Sequence, residues 1–477
     1  MTAPHWLMKL TGRLLPFADA ATVDLPLPRL LRLSLFQVST GMAFVLINFT
    51  LNRVMIVEIG VPASLVAVMV ALPLLFAPAR ALIGYKSDNH VSILGWRRVP
   101  YIWFGTLMQF GGLAIMPFAL LLMTGRGMPG SAWVGVAGAC IAFLLIGAGM
   151  ATAQTAGLAL ATDLSPEAKR PRVVALLYVM LLVGMFVSSL LFGRLLGAFE
   201  PMRLVQVIQG TAVLSLILNV VALWKQEARV PGGRREVDPV DFGTRWQALV
   251  ADRRTRRLMV ALALGAAGFT MQDILLEPYG GHVLGLNVGQ TTALSALWSA
   301  GMIAGFAWSA RALDRGAEPT RLVGWGVLIG ICAFAVVVLS APLKSVSMLC
   351  LGAGGIGLGG GLFVVCTLIA MMKQAAPGQA GLALGAWGAV QASAGGVAIF
   401  VSGALRDGFD ALAMAGRLGA GLIDPASGYS FVWHIEIGLL FATLIAIGPL
   451  ARRADETTRA LLPLPSTPWF PQAIEKD

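Results

Sequence analysis

The chain has 477 residues, 57% of them hydrophobic and only 12% charged, with a mean hydropathy of +0.78. A soluble globular protein carries about 25% charged residues, so a water-soluble domain is excluded and a polytopic membrane protein is implied. The net charge of +11 does not indicate nucleic acid, because the basic residues lie in short loops between apolar runs, where membrane topology accounts for them.

The opening stretch, MTAPHWLMKLTGRLLPFADAATVDLPLP, has no apolar h-region and no small-residue cleavage site, so no removable signal peptide is expected. Apolar runs bounded by charge, Pro or Gly then predict spans at 31–52, 63–83, 100–123, 132–161, 173–193 and 205–224, and after a polar break at 258–280, 289–310, 322–342, 345–371, 380–402 and 431–450. With the N-terminus in the cytoplasm, the inner segments hold 28 Lys and Arg and the outer loops hold 7 of the chain's 35. This bias has the sense expected of inner loops, and it places both termini in the cytoplasm. The expected organisation is a cytoplasmic tail (1–30), a six-helix half (31–224), a basic cytoplasmic linker (225–257), a second six-helix half (258–450) and a cytoplasmic tail (451–477). Pro166 after the fourth span and Pro377 after the tenth fall at equivalent places in the two halves. Six plus six spans joined by a basic loop is the arrangement of the major facilitator fold: all-α, with twelve transmembrane helices.

Polar residues inside such spans are functional candidates by default, since an unpaired charge in lipid is costly. At the outer end of the first span stand Asn52, Arg53 and Glu58 in LNRVMIVEIG. Between the second and third spans, GYKSDNHVSILGWRRVPY carries Gly84, Asp88, Gly95, Arg97 and Arg98. This loop resembles the signature loop of major facilitators, in which the Asp caps a neighbouring helix or pairs with Arg and latches two helices on the cytoplasmic side. Gln154 and Thr155 lie in the fourth span, and Asp163 follows it. The stretch GFTMQDILLEPYGG in the seventh span carries Asp273 and Glu277, four residues apart and so on one face of a continuous helix. Arg53 is the expected partner of one of these acids in an outer gate; the alternative is that both are wet residues at the interface. Asp314 and Arg315 after the eighth span offer a reduced second latch.

In the tenth span, Gly352, Gly354 and Gly357 satisfy G-x-G-x-x-G. They follow no strand and have no acidic partner for a ribose, so no dinucleotide site is expected. The useful content is close helix packing through Gly355 with Gly359 and Gly357 with Gly361. His282, just past EPYGG, and His434, beside Glu436 in the twelfth span, are candidate pigment ligands. Cys140, Cys332, Cys350 and Cys366 sit in apolar runs as small buried hydrophobes. No metal site, nucleophile–base pair or phosphate loop is present in the pattern, so no catalytic residues are assigned and no enzyme is expected.

Three stretches, LNRVMIVEIGVPASLVA, QTAGLALATDLSPEAKRPRVVALLYVMLLVGM and MQDILLEPYGGHVLGL, are together similar to the PucC/LhaA family of phototrophic bacteria. The resemblance runs from about residue 30 to 450, and its motifs cover Asn52, Arg53, Glu58, Gln154, Asp163, Asp273 and Glu277. It implies a factor of the bacterial inner (intracytoplasmic) membrane that assembles light-harvesting antenna complexes. Antenna polypeptides, and pigment-synthesis enzymes beside them, would be its partners, and bacteriochlorophyll its cargo rather than a fixed cofactor. Length and the N-terminal portion are closer to the LhaA branch, which serves the core antenna, than to the branch that serves the peripheral antenna. Two other readings stay open: a carrier of a small solute with protons on Asp273 or Glu277, and a tetrapyrrole exporter. Span interiors of Gly, Ala, Leu, Val and Met suit an apolar ligand or partner helices better than a hydrated solute. The sequence assigns no oligomeric state.

Overall fold

The structure is a computed structural model, and it describes residues 25–76, 96–124, 132–166, 169–227, 251–374, 380–419 and 423–461. The helices are α1 (Leu27–Glu58), α2 (Ala63–Ala71), α3 (Val99–Met123), α4 (Ala132–Asp163), α5 (Arg170–Leu195), α6 (Pro201–Leu223), α7 (Arg253–Ile274), α8 (Leu276–Leu284), α9 (Val288–Asp314), α10 (Pro319–Ser340), α11 (Val346–Gln374), α12 (Ala380–Met414) and α13 (Ser427–Leu461). Among the described residues ten are long and apolar enough to cross a membrane, α7 with α8 add an eleventh if the bent pair is counted as one span, and the shorter apolar α2 stands at the place of the predicted second span. This arrangement is compatible with the twelve segments read from the sequence. Large apolar side chains such as Trp133 (72% exposed) and Ile445 (75% exposed) cover the outside, as a hydrocarbon solvent requires.

Two segments depart from expectation. The first span does not stop at residue 52: α1 continues to Glu58 through two π-helical turns, Leu46–Thr50 and Val54–Glu58. The amides of Asn48 and Asn52 donate to the carbonyls of Phe44 and Asn48, four residues back. They compete there with the backbone donors that normally close the α turn.

The seventh span is also not one helix. Regular α structure ends at Thr270, a 3₁₀ turn runs Met271–Ile274, and α8 departs at 44°. Pro278 explains the break, since it has no N–H to give the carbonyl of Ile274 and its ring collides with that carbonyl. The expectation that Asp273 and Glu277 share one face of a continuous helix is therefore corrected: the break lies between them.

Glycine sets how close the helices of the second half come. α11 is wedged between α9 and α10. A Cβ at Gly357 would lie 2.0 Å from the Trp298 carbonyl oxygen of α9, and one at Gly359 would lie 2.5 Å from the Gly326 carbonyl oxygen of α10. Gly361 meets the backbone of Met302 in the same way, and Gly355 meets the methyl of Ala333. The two GxxxG pairs thus serve two different neighbours, and backbones touch where side chains would stand.

Helix ends at the end of the bundle rich in Lys and Arg, the basic end, are tied by carboxylates. Glu227, just past α6, accepts from the backbone N–H groups of Arg97, Arg98 and Val99 at 2.8–3.1 Å and so caps α3. Asp252 caps α7 through the backbone N–H groups of Arg254 and Thr255, and the Thr255 contacts hold its carboxyl below the usual range. Its contribution is present above the ordinary carboxylate range and is lost as pH falls through its lowered value.

Gly357→Ala is expected to destabilise the protein by about 1–3 kcal/mol, because the added methyl meets backbone that cannot move aside. Gly354→Ala is the control, since its Cβ meets only the Leu297 carbonyl oxygen at 3.9 Å. Apparent melting of the two variants in the same detergent decides the point, and equal midpoints would contradict this packing.

Candidate functional site

The halves pack mainly through α5 against α9 and α2 against α12. The polar contacts between them among the described residues gather at the end of the bundle opposite the basic loops, the far end, where α1 supplies two of them. Asn52 is fully buried, and its amide donates to the backbone carbonyl of Asp273 at 3.1 Å, at the break between α7 and α8. Arg53 is 3% exposed, donates to the Leu286 carbonyl at 3.0 Å, and lies against Gly281, where a Cβ would come within 3.1 Å of the guanidinium. A second tie crosses from α12, where Asp407 accepts from the backbone N–H of Ser64 at 2.7 Å in the first turn of α2. Arg406 holds Asp407 at 2.9 Å and Asp410 at 3.0 Å, and its guanidinium sits 4.8 Å from the centre of the Tyr429 ring. His282 lies beside this group, its Nδ1 2.8 Å from the Tyr429 hydroxyl.

Arg53 forms its ion pair with Glu58 on its own helix. Among the described residues no ion pair joins it to Asp273 or Glu277, so the expected pairing across the halves is replaced by hydrogen bonds to backbone carbonyls. The π turn explains the exchange, since it holds Glu58 five residues on within reach of the guanidinium. The acids are not wet: Asp273 is 4% exposed and Glu277 not at all. They also part company. Glu277 accepts from the Ser295 hydroxyl of α9 at 2.5 Å and feels the positive charge of Arg53. Asp273 accepts from the neighbouring Gln272 amide, in a 3₁₀ turn that packs against α13, the helix of Glu436.

Glu436 is the residue that sequence reasoning named without assigning. It is fully buried, and neither of its carboxylate oxygens finds a donor among the described residues. Its signal was visible: an acid in the middle of an apolar span is costly wherever it stands. Glu227 was missed for another reason, since an acid next to a polar linker looks like ordinary loop charge until the cap is seen.

At the basic end, Arg98 is buried and its Nε lies 3.1 Å from Asp163, which joins the start of α3 to the end of α4. Arg97 contributes backbone N–H to the Glu227 cap. Gly84, Asp88 and Gly95 lie outside the described residues. The reduced second latch is not built as expected: Asp314 and Arg315 are exposed and form no side-chain bond with another described residue. The chain turns there through Gly316 in the left-handed region, φ 83°, which leaves both charges pointing to solvent. Gln154 donates to Gln37 of α1 at 3.3 Å, a polar pair between α1 and α4. His434 is exposed on α13, with Nδ1 2.6 Å from the Ser430 carbonyl. Among the described residues no group of three or more His, Cys, Asp or Glu side chains could hold a metal ion.

The family model described as PUCC protein matches residues 50–455. The Rhodobacter capsulatus "Uncharacterized protein in puhA-bchM intergenic region" is 53% identical over 440 residues, covering 92% of each chain. Protein PucC of Rhodovulum sulfidophilum is 54% identical over 401 residues, covering 83% of this chain and 88% of that one. Among solved structures, a bacterial homologue of the human lysosomal transporter Spinster, inward-facing and unoccupied, superposes with a TM-score of 0.65. That match has 14% identity and covers 89% of this chain and 96% of the other, so it speaks for the fold alone. The fold is that of the major facilitators.

A double-mutant cycle tests the ties of Arg53. Coupling between Arg53→Ala and Glu58→Ala is expected at about 0.5–3 kcal/mol, as for residues in contact, while Arg53→Ala and Asp273→Ala should combine almost additively. Folded yield and apparent melting of the variants report both couplings. The reverse result would restore the cross-half ion pair.

Proposed function

The chain belongs to the PucC family, and on that footing we propose that it is an assembly factor for a bacterial light-harvesting antenna complex, the core antenna being its client. The observation that carries the reading is the family match across residues 50–455, which takes in the far end of α1, the α7–α8 break and most of α13 together. Its partners are antenna polypeptides, with pigment-synthesis enzymes beside them, and its cargo is bacteriochlorophyll. The protein lies in the inner (intracytoplasmic) membrane with both termini cytoplasmic, a placement supported by the 28 to 7 bias of Lys and Arg. It performs no bond-making chemistry: its side chains hold, orient and release.

His434 suits a pigment on the outer surface of α13. Its Nδ1 faces the Ser430 carbonyl, which fixes that nitrogen as the N–H and leaves Nε2 free to ligate a magnesium ion. His282 suits a pigment less well, because its Nδ1 is engaged by Tyr429 and Arg406 stands nearby. A second reading, a carrier of a small solute or an exporter of a tetrapyrrole, draws its support from the buried acids Asp273, Glu277 and Glu436.

Deletion of the gene is expected to lower the core-antenna absorbance band of the membranes while bacteriochlorophyll and carotenoid synthesis continue, and expression of the wild-type chain should restore the band. His434→Leu expressed in the same strain should restore less of it. A normal core-antenna band in the deletion strain would exclude the assembly role.

A further inference from the structure

We propose that Asp273 and Glu436 form a proton-binding site inside the second half, in which two facing carboxyl groups hold a single proton. Glu436 stands on α13 opposite Gly268, where a Cβ would lie 3.4 Å from the Glu436 carbonyl oxygen. Side chains on a helix lean toward its N-terminus, which for α13 is the far end, where the 3₁₀ turn carries Asp273. α13 packs directly against that turn, which brings the charge of Asp273 to bear on Glu436. Glu436 is fully buried and Asp273 is 4% exposed. The Glu436 oxygens have no donor among the described residues, and Asp273 has the amide of Gln272.

The neighbouring charges do not supply a counterion. On α7 and α8 the acids are Asp273 and Glu277, and Glu277 turns toward Ser295 and Arg53. On α12, Arg406 is taken up by Asp407 and Asp410 nearer the far end. α10 packs against α13 and brings the hydroxyl of Ser340 to Tyr279 rather than to Glu436. On α13 itself, Tyr429 sits under Arg406, and His434 is exposed. Beside the Glu436 backbone, Gly268 of α7 meets the apolar Leu440, and the Thr270 hydroxyl is taken up by the carbonyl of Ala266. Two negative charges facing each other here would repel strongly in a low dielectric. One proton removes the repulsion and at the same time gives Glu436 the hydrogen bond it lacks.

The position gives the site a consequence. Asp273 contributes its side chain to this pair and its backbone carbonyl to Asn52 of the first half. Loss of the proton pushes α13 away from the 3₁₀ turn, and the same residue transmits that push to the junction between the halves. The proton enters from water and returns to water, so the site couples the far-end junction to pH. This inference stands whichever cargo the protein handles.

The test uses the full-length protein purified in detergent. The folded pair binds a proton that ordinary carboxylates in the unfolded chain have released at neutral pH, so stability falls as pH rises through the release point. Wild-type apparent melting should decline by a few degrees from mildly acidic to alkaline pH, and Glu436→Gln should flatten that decline and melt higher than wild type in alkali. Infrared spectra taken on the same samples should show a protonated-carboxyl stretch that titrates in wild type and is lost in Glu436→Gln and in Asp273→Asn. Asp273→Asn supplies the result should Glu436→Gln fail to fold. Parallel melting of wild type and Glu436→Gln at every pH overturns the proposal, as does a wild-type spectrum without a titrating carboxyl band. Stabilisation by sodium but not by choline at equal ionic strength also overturns it, since the site would then hold a metal cation instead of a proton.

Discussion

A backbone carbonyl released from its helix inside a hydrocarbon layer must find another donor or lie buried in protein, and leaving it unpaired costs several kcal/mol. The break between α7 and α8 meets this constraint with Asn52. The first half of the molecule donates to a backbone carbonyl at the point where the seventh span interrupts its own ladder. Several other features follow from that contact. The π turns of α1 belong to the same stretch as Asn52 and Arg53. Gly281 has no side chain because the guanidinium of Arg53 lies there. The far-end loop is held by its Leu286 carbonyl. Asp407 on α12 repeats the logic from the other side, with a side chain of the second half satisfying the backbone of α2 in the first.

Much of this was legible in the sequence. Hydropathy and the placement of Lys and Arg were enough for twelve segments, and the GxxxG spacing of α11 was enough for close packing, though not for its division between two neighbours. The family resemblance rested on stretches that do build the junction: LNRVMIVEIG holds Asn52, Arg53 and Glu58, and MQDILLEPYGG holds the break. What stayed hidden was the effect of Pro278. The residue was in plain view, but a regular helix was laid over it, and so Asp273 and Glu277 were placed on one face. The partner of Arg53 stayed hidden for a related reason. An α-helical register sets Glu58 away from the guanidinium, and only the π turn brings it back. Glu227 and Glu436 show the two ways a carboxylate escapes notice, one because it stood among charged neighbours and the other because nothing nearby explained it.

The likeness to solved transporters lies in the fold, and the side chains give that fold a different emphasis. The polar contacts between the halves gather at the far end, where Asn52, Arg53 and Asp407 each reach a backbone group of the opposite half. The basic end is tied within the first half, through Glu227 and the Arg98–Asp163 pair. Among the described residues, then, the polar ties between the halves are confined to the far end, and the polar ties at the basic end stay within a half.

The glycine contacts of α11 have a mechanical consequence. Where backbones of α9, α10 and α11 touch without side chains between them, there are no rotamers to exchange and no gap to close. These three helices form a stiff slab that can turn but not shear. Compliance is left to the elements outside it: α7 and α8, already bent at Pro278, and the long α12 and α13 that flank them. A cycle of opening and closing would therefore use the slab as a lever, with its hinge at the only helix of the second half that is broken among the described residues.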